Sequence, residues 1–179
     1  MKTIFIIGFM TAGKSREGKR LAKLMKMKFI DLDRVIEANE KRTVSEIFTE
    51  KGEEYFRAKE GGALRAINTN ENCIVSCGGG TPCFFDNMNW MLKQGIVVWL
   101  KISTEEILKR VGESKKKRPL LNNLNGVKLI NFIQEKYNER EVFYSKAPIQ
   151  INTENISIEN LMQMILSYKN EINNKQQGD

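Results

Sequence analysis

Residues 8–15 read GFMTAGKS, between the apolar run TIFII at 3–7 and the charged stretch REGKRLAKLMK at 16–26. Gly8, four residues, Gly13, Lys14 and Ser15 match the phosphate-binding P-loop, and the flanks have the character that motif requires: a strand candidate before it and a helix candidate after it. The glycines let the chain turn tightly, so that successive N–H groups point at phosphate oxygens from the start of a helix. In such a loop Lys14 reaches the β and γ phosphates and Ser15 offers its hydroxyl to magnesium. A P-loop names the phosphate donor but not the acceptor, because GTPases, motor ATPases and small-molecule kinases share it.

Outward from the loop the chain alternates. Strand-like runs occur at TIFIIG, KFIDLD, NCIVSC, GIVVWLKI and APIQINT, separated by longer stretches with helical spacing. That alternation predicts an α/β fold, a three-layer α/β/α sandwich around a five-stranded parallel sheet. Residues 4–7, 74–77 and 96–100 are almost wholly apolar, as strands covered on both faces should be. Stretches NENC and NNLNG read as turns or loop ends, and the polar tail NNKQQGD, about 173–179, is expected to fray.

With 179 residues, 41% of them hydrophobic, the chain suits one domain spanning 1–179. The start resembles no signal peptide, and no run is long enough to span a bilayer, so a soluble, cytoplasmic protein without a membrane partner is expected. Cys73, Cys77 and Cys83 fit no paired zinc spacing and have no histidine to help them, so they read as reduced thiols, mostly buried. A net charge of +7 suits either nucleic acid or a small polyanion. Its clearest cluster, ESKKKRPLL, lies in one loop candidate and no nucleic-acid motif accompanies it, which favours the polyanion.

Asp31 and Asp33, in FIDLDRVIE, are expected on one side of an extended segment, beside the crevice where open α/β sheets bind ligands. One carboxylate can position hydrated magnesium and the other can accept a proton from a hydroxyl; equally, Asp33 can cap the helix that follows. The triple glycine in SCGGGT permits a close backbone approach, or is simply a turn. Segment 112–124 is expected to be a mobile lid, since a P-loop kinase must keep water from the γ-phosphate; a basic disordered loop is the plainer alternative.

GFMTAGKS, FIDLDRVIE, SEIFTEKGEEYFRAKE, SCGGGT, RPLL and NEREVFYSKAP occur in the order and at about the spacing of shikimate kinases, and the resemblance covers residues 1 to about 170. It implies P-loop, nucleoside-monophosphate-kinase-like topology, with ATP and Mg2+ as cofactors, shikimate as the small-molecule substrate, and a monomer that binds no nucleic acid. The cofactor positions it implies are Gly8, Thr11, Ala12, Gly13, Lys14, Ser15, Arg16, Arg110 (near the adenine) and the lid arginine Arg118; Ser15 and Asp31 serve magnesium. The substrate positions it implies are Asp33, Arg57, Gly78, Gly79, Gly80 and Arg140, with a helical segment at about 33–60 and with Lys14, Asp33 and Arg118 catalytic. Without it, Arg57 and Arg140 would read as solvated helix residues.

The chain departs from the family pattern at Thr11-Ala12, where Gly-Ser is common, at Arg16, where Thr is usual, and at Thr81-Pro82, where small apolar residues are usual. Two other readings stay open: another small-molecule P-loop kinase, acting on gluconate or a nucleoside monophosphate, and a non-catalytic nucleotide-binding module. Nothing resembles the guanine-reading Asn/Thr-Lys-x-Asp pattern of GTPase switches.

Overall fold

The computed structural model describes residues 3–113, 126–154 and 156–177. The expected lid segment beyond Glu113, including Arg118 and most of the NNLNG stretch, lies outside the described residues.

Five parallel strands, β1 (Thr3–Ile7), β2 (Lys28–Asp31), β3 (Cys73–Ser76), β4 (Gly95–Lys101) and β5 (Ile149–Asn152), form one sheet in the order β2-β3-β1-β4-β5. The three nearly all-apolar runs are its three central strands. Ile4 pairs with Ile74 on one side and Ile96 on the other, and every residue of β1 and β3 is buried. At the edge, β5 alternates instead, with Ile149 buried and Gln150 exposed.

Helices α1 (Lys14–Met25), α2 (Leu32–Glu40), α3 (Val44–Arg65), α4 (Asn87–Gln94), α5 (Thr104–Glu113), α6 (Gly126–Tyr144) and α7 (Ile158–Gln177) connect and flank the strands. Neighbouring strand residues point to opposite faces, and β1 shows which helices each face receives. Ile6 meets α1, where a Cβ at Gly18 would come 3.3 Å from Ile6 Cδ1. Phe5 meets Trp90 of α4 in an edge-on ring contact of 5.9 Å. Helices therefore cover both faces, giving the three layers. The backbone of residues 173–177, expected to fray, instead continues α7 to Gln177.

β1 ends one residue before Gly8, whose φ of 143° suits glycine. A Cβ there would stand 2.6 Å from the Leu100 carbonyl oxygen of β4, so the chain can leave the sheet at this point only as glycine. Gly13 then takes a left-handed conformation as the residue before α1. The ends of β1, β2 and β3 and the start of α1 thus meet at the carboxyl edge of the sheet.

α3 starts with a reciprocal cap: the Glu46 N–H donates to Thr43 Oγ1 (3.2 Å) and the Thr43 N–H to Glu46 Oε2 (2.7 Å). It bends at Gly52 (φ 82°), and the stretch beyond carries Glu53, Arg57 and Glu60 at helical spacing along one face.

Candidate active site

At the phosphate end, the opening turn of α1 leaves N–H groups without intrahelical acceptors and adds the positive end of the helix dipole. Lys14 Nζ donates to the Phe9 carbonyl within the loop (2.9 Å). Ser15 Oγ donates to Asp31 Oδ2 (2.7 Å) and lies 3.2 Å from Ser76 Oγ, the last residue of β3. Two hydroxyls and a carboxylate form a cluster of hard oxygen donors of the kind that suits magnesium with part of its water shell. Arg110 reaches the loop from α5: its Nη1 donates to the Thr11 carbonyl (2.9 Å) while its Nε is held by Glu106 (2.6 Å). Thr11 itself is left-handed (φ 65°) and Ala12 is buried. Arg16 turns to Glu17 (2.6 Å), its guanidinium 3.7 Å from where a Gly13 Cβ would be.

The expected pairing of Asp31 and Asp33 along one strand is corrected by the structure. β2 stops at Asp31, which occupies the position before α2, and Asp33 lies in the first turn of that helix. Neither carboxylate caps α2, so the capping alternative fails as well. The helical turn, rather than strand alternation, sets the direction of Asp33. Burial, then the neighbouring charge of Glu60, raises the Asp33 carboxyl to about 6, against the opposing pull of Lys14.

Further along the cleft stand two guanidiniums, of Arg57 and Arg140. Arg57 is almost fully buried, with its CZ 4.7 to 5.7 Å from the ring centres of Phe84, Phe56 and Phe48. Its Nη1 donates to Glu60 Oε2 (2.8 Å), and its Nε and Nη2 donate to Glu53 Oε1 (3.1 and 2.9 Å). Burial works against the charge, yet Glu60 and Glu53 more than offset it and hold the group above its usual value. Of the five guanidinium N–H donors these bonds use three, so among the described residues one N–H on each terminal nitrogen is left for a ligand.

Arg140, on α6, is 8% exposed and lies over Phe9, 5.4 Å from the ring centre. The triple glycine runs between these cations. A Cβ at Gly80 would stand 2.5 Å from Arg57 Nη2, and one at Gly79 would stand 3.4 Å from Arg140 Nη1. Tyr144 anchors this backbone by donating its hydroxyl to the Gly79 carbonyl. A Cβ at Gly78 would collide with Glu60 Oε1 and come 3.2 Å from Asp33 Oδ1.

Asp33, Arg57, Glu60, Arg140 and Gly78 to Gly80 thereby line one cleft, together with the apolar groups Met10, Val44, Phe48 and Phe56. A ring with a carboxylate and hydroxyls matches such a lining: forked cations for the carboxylate, a carboxylate acceptor for a hydroxyl, and apolar surface for the ring. Of the expected site residues, Asp33, Arg57, Gly78, Gly79, Gly80 and Arg140 line the cleft, while Gly8 and residues 11–16 form the loop and the start of α1, which Arg110 reaches through the Thr11 carbonyl; Arg118 lies outside the described residues.

Sequence reasoning missed Glu60, Ser76, Thr81 and Tyr144. Two had a signal. Glu60 follows Arg57 by three residues, the spacing of a helical ion pair, and Ser76 ends a strand at the carboxyl edge, in register with Asp31. Thr81 stood out only as a departure, and Tyr144, though inside the stretch NEREVFYSKAP one helical turn after Arg140, had no role assigned to it.

The shikimate kinase family profile matches residues 10–169. Shikimate kinase from Parabacteroides distasonis is 45% identical over 159 residues, covering 89% of this chain and 92% of its own. Among solved structures, shikimate kinase from Bacteroides thetaiotaomicron superposes with a TM-score of 0.84 at 35% identity, covering 94% of this chain and 98% of its own. Shikimate kinase from Acinetobacter baumannii in complex with shikimate superposes with a TM-score of 0.85 at 30% identity, covering 94% and 95%.

Proposed function

This chain belongs to the shikimate kinase family, and from that premise we propose that it transfers the γ-phosphoryl group of ATP to the 3-hydroxyl of shikimate. One observation carries the assignment of the site: two buried guanidiniums and a carboxyl with a raised pKa line the same cleft beside the P-loop.

In this reading Arg57 and Arg140 hold the substrate carboxylate by forked hydrogen bonds. Gly78, Gly79 and Gly80 let the backbone lie against the ring. Asp33 is mostly ionised near neutral pH, and it accepts the hydrogen of the attacking hydroxyl and takes up its proton as the phosphoryl group transfers. The loop from Gly8 to Ser15 cradles the β and γ phosphates, with Lys14 stabilising charge on the transferring group and the lid arginine Arg118 assigned the same task from the other side. Arg16 and Arg110 serve the nucleotide. Magnesium, when bound by Ser15 and Asp31, neutralises charge on the β and γ oxygens.

The chain acts as a monomer whose partners are ATP and shikimate, with no part for nucleic acid or membrane. Its compartment is the cytoplasm, consistent with free cysteines at 73, 77 and 83.

ADP release in MgATP, coupled to a spectroscopic readout, tests the proposal with shikimate, gluconate, a nucleoside monophosphate or no acceptor. Release that depends on shikimate is expected. Release no faster with shikimate than without an acceptor overturns it.

A further inference from the structure

Thr81, in the place where small apolar residues are usual, is fully buried, and its hydroxyl donates to Glu60 Oε1 (2.5 Å). The other oxygen of that carboxylate, Oε2, accepts from Arg57 Nη1 (2.8 Å). Glu60 has no exposure to water, so among the described residues these two donors share its charge between its two oxygens. The backbone of Thr81 is fixed in turn: its N–H donates to the Gly78 carbonyl (3.2 Å) and its own carbonyl accepts from Asn87 Nδ2 (2.9 Å). Asn87 Oδ1 is itself held by Arg65 Nη1 (2.7 Å). The hydroxyl is thus presented to Glu60 from a rigid turn.

A buried carboxylate with one free oxygen turns toward the nearest remaining donors. For Glu60 the leftover N–H groups of Arg57, already its partner at 2.8 Å, are such donors; a two-bond grip by Glu60 would spend one of the two left for a ligand. We propose that Thr81 is a positioning residue for the substrate: by occupying Glu60 Oε1 it restricts Glu60 to one bond with Arg57 and keeps the guanidinium fork open for the substrate carboxylate. The inference rests on the proposed phosphorylation of shikimate and adds to it a residue that touches neither substrate nor nucleotide.

The test compares wild type with Thr81→Val, which keeps the shape without the hydroxyl, Thr81→Ala, a smaller variant that also lacks it, and Thr81→Ser, which keeps it. KM for shikimate, KM for ATP and kcat are measured for each. Loss of a hydrogen bond to a buried charge should raise KM for shikimate about tenfold in Thr81→Val and in Thr81→Ala. KM for ATP should stay within about twofold, and Thr81→Ser should stay within about threefold of wild type for shikimate. If Thr81→Val does not fold, Thr81→Ala carries the comparison. The inference is overturned if the hydroxyl-free variants keep the wild-type KM for shikimate, if Thr81→Ser behaves as they do, or if both KM values rise together as in a general loss of structure. Wild type that shows no shikimate-dependent ADP release would overturn the proposed function instead, and that control is run first.

Discussion

Asp33 and Glu60 bring two carboxyl groups to the same face of one glycine: a side chain at Gly78 would come 3.2 Å from Asp33 Oδ1 and collide with Glu60 Oε1. The pair share a buried space, and Arg57 and Thr81 hold Glu60 while Asp33 faces the cleft. Burial first and the Glu60 charge second lift Asp33 to about 6. An essential base at that value makes kcat/KM for shikimate fall on the acid side of about pH 6, and a profile flat down to about pH 5 would exclude Asp33 as that base.

The same shift has a consequence for stability. A carboxyl raised from 3.8 to about 6 binds its proton more tightly in the native protein than in the unfolded chain. Its contribution is therefore favourable below the unfolded value and is lost as pH rises through the folded one. Asp33→Asn, which imitates the neutral acid, should lower kcat at least about a hundredfold and raise stability at about pH 8 by about 3 kcal/mol. That gain should shrink to nothing below about pH 4. Thermal melts of both proteins across pH check the prediction, and a gain independent of pH contradicts it.

Gly80→Ala places a methyl group 2.5 Å from Arg57 Nη2, on a guanidinium already enclosed by aromatic rings. The arginine must shift, and KM for shikimate should rise about tenfold or more. Gly79→Ala meets its nearest atom at 3.4 Å and should be milder. Steady-state kinetics of the two variants should keep that order.

Replacing Arg140 by Lys retains charge but removes the fork, so KM for shikimate should rise about tenfold while KM for ATP stays unchanged. Arg57→Lys should also lower stability, by about 3 kcal/mol, because Glu60 is left buried with a poorer partner. Denaturant melts separate the two: Arg140→Lys should unfold close to wild type.

Ser76→Ala removes a hydroxyl 3.2 Å from Ser15 Oγ without touching the carboxylate-binding end of the cleft. The magnesium concentration for half-maximal rate should rise about tenfold, with KM for shikimate unmoved. Titration of magnesium at saturating shikimate reads this directly, and an unchanged midpoint removes Ser76 from the metal environment.

Much of the fold was legible because its signals are local. The apolar runs at 4–7, 74–77 and 96–100 announce buried parallel strands, and they became the central three of the sheet. Gly8 and Gly13 announce the loop that joins β1 to α1. The site was legible only where a motif carried it. Glu60 and Thr81 meet across 21 residues of sequence, and Tyr144 reaches Gly79 across 65, distances over which neither periodicity nor spacing carries a signal. The direction of Asp33 departs from the sequence pattern for a simpler reason. FIDLD extends the strand pattern through Asp33, but β2 yields to α2 at Leu32, and the change from a two-residue to a 3.6-residue period turns the carboxylate to a different face.

Phosphorus NMR of the product formed by the purified chain from MgATP and shikimate tests the central claim most directly. Transfer predicts a phosphomonoester signal growing in step with ADP, coupled to the ring proton at carbon 3, and absent with Asp33→Asn. Inorganic phosphate in place of the ester, or an ester at another hydroxyl, would contradict the account.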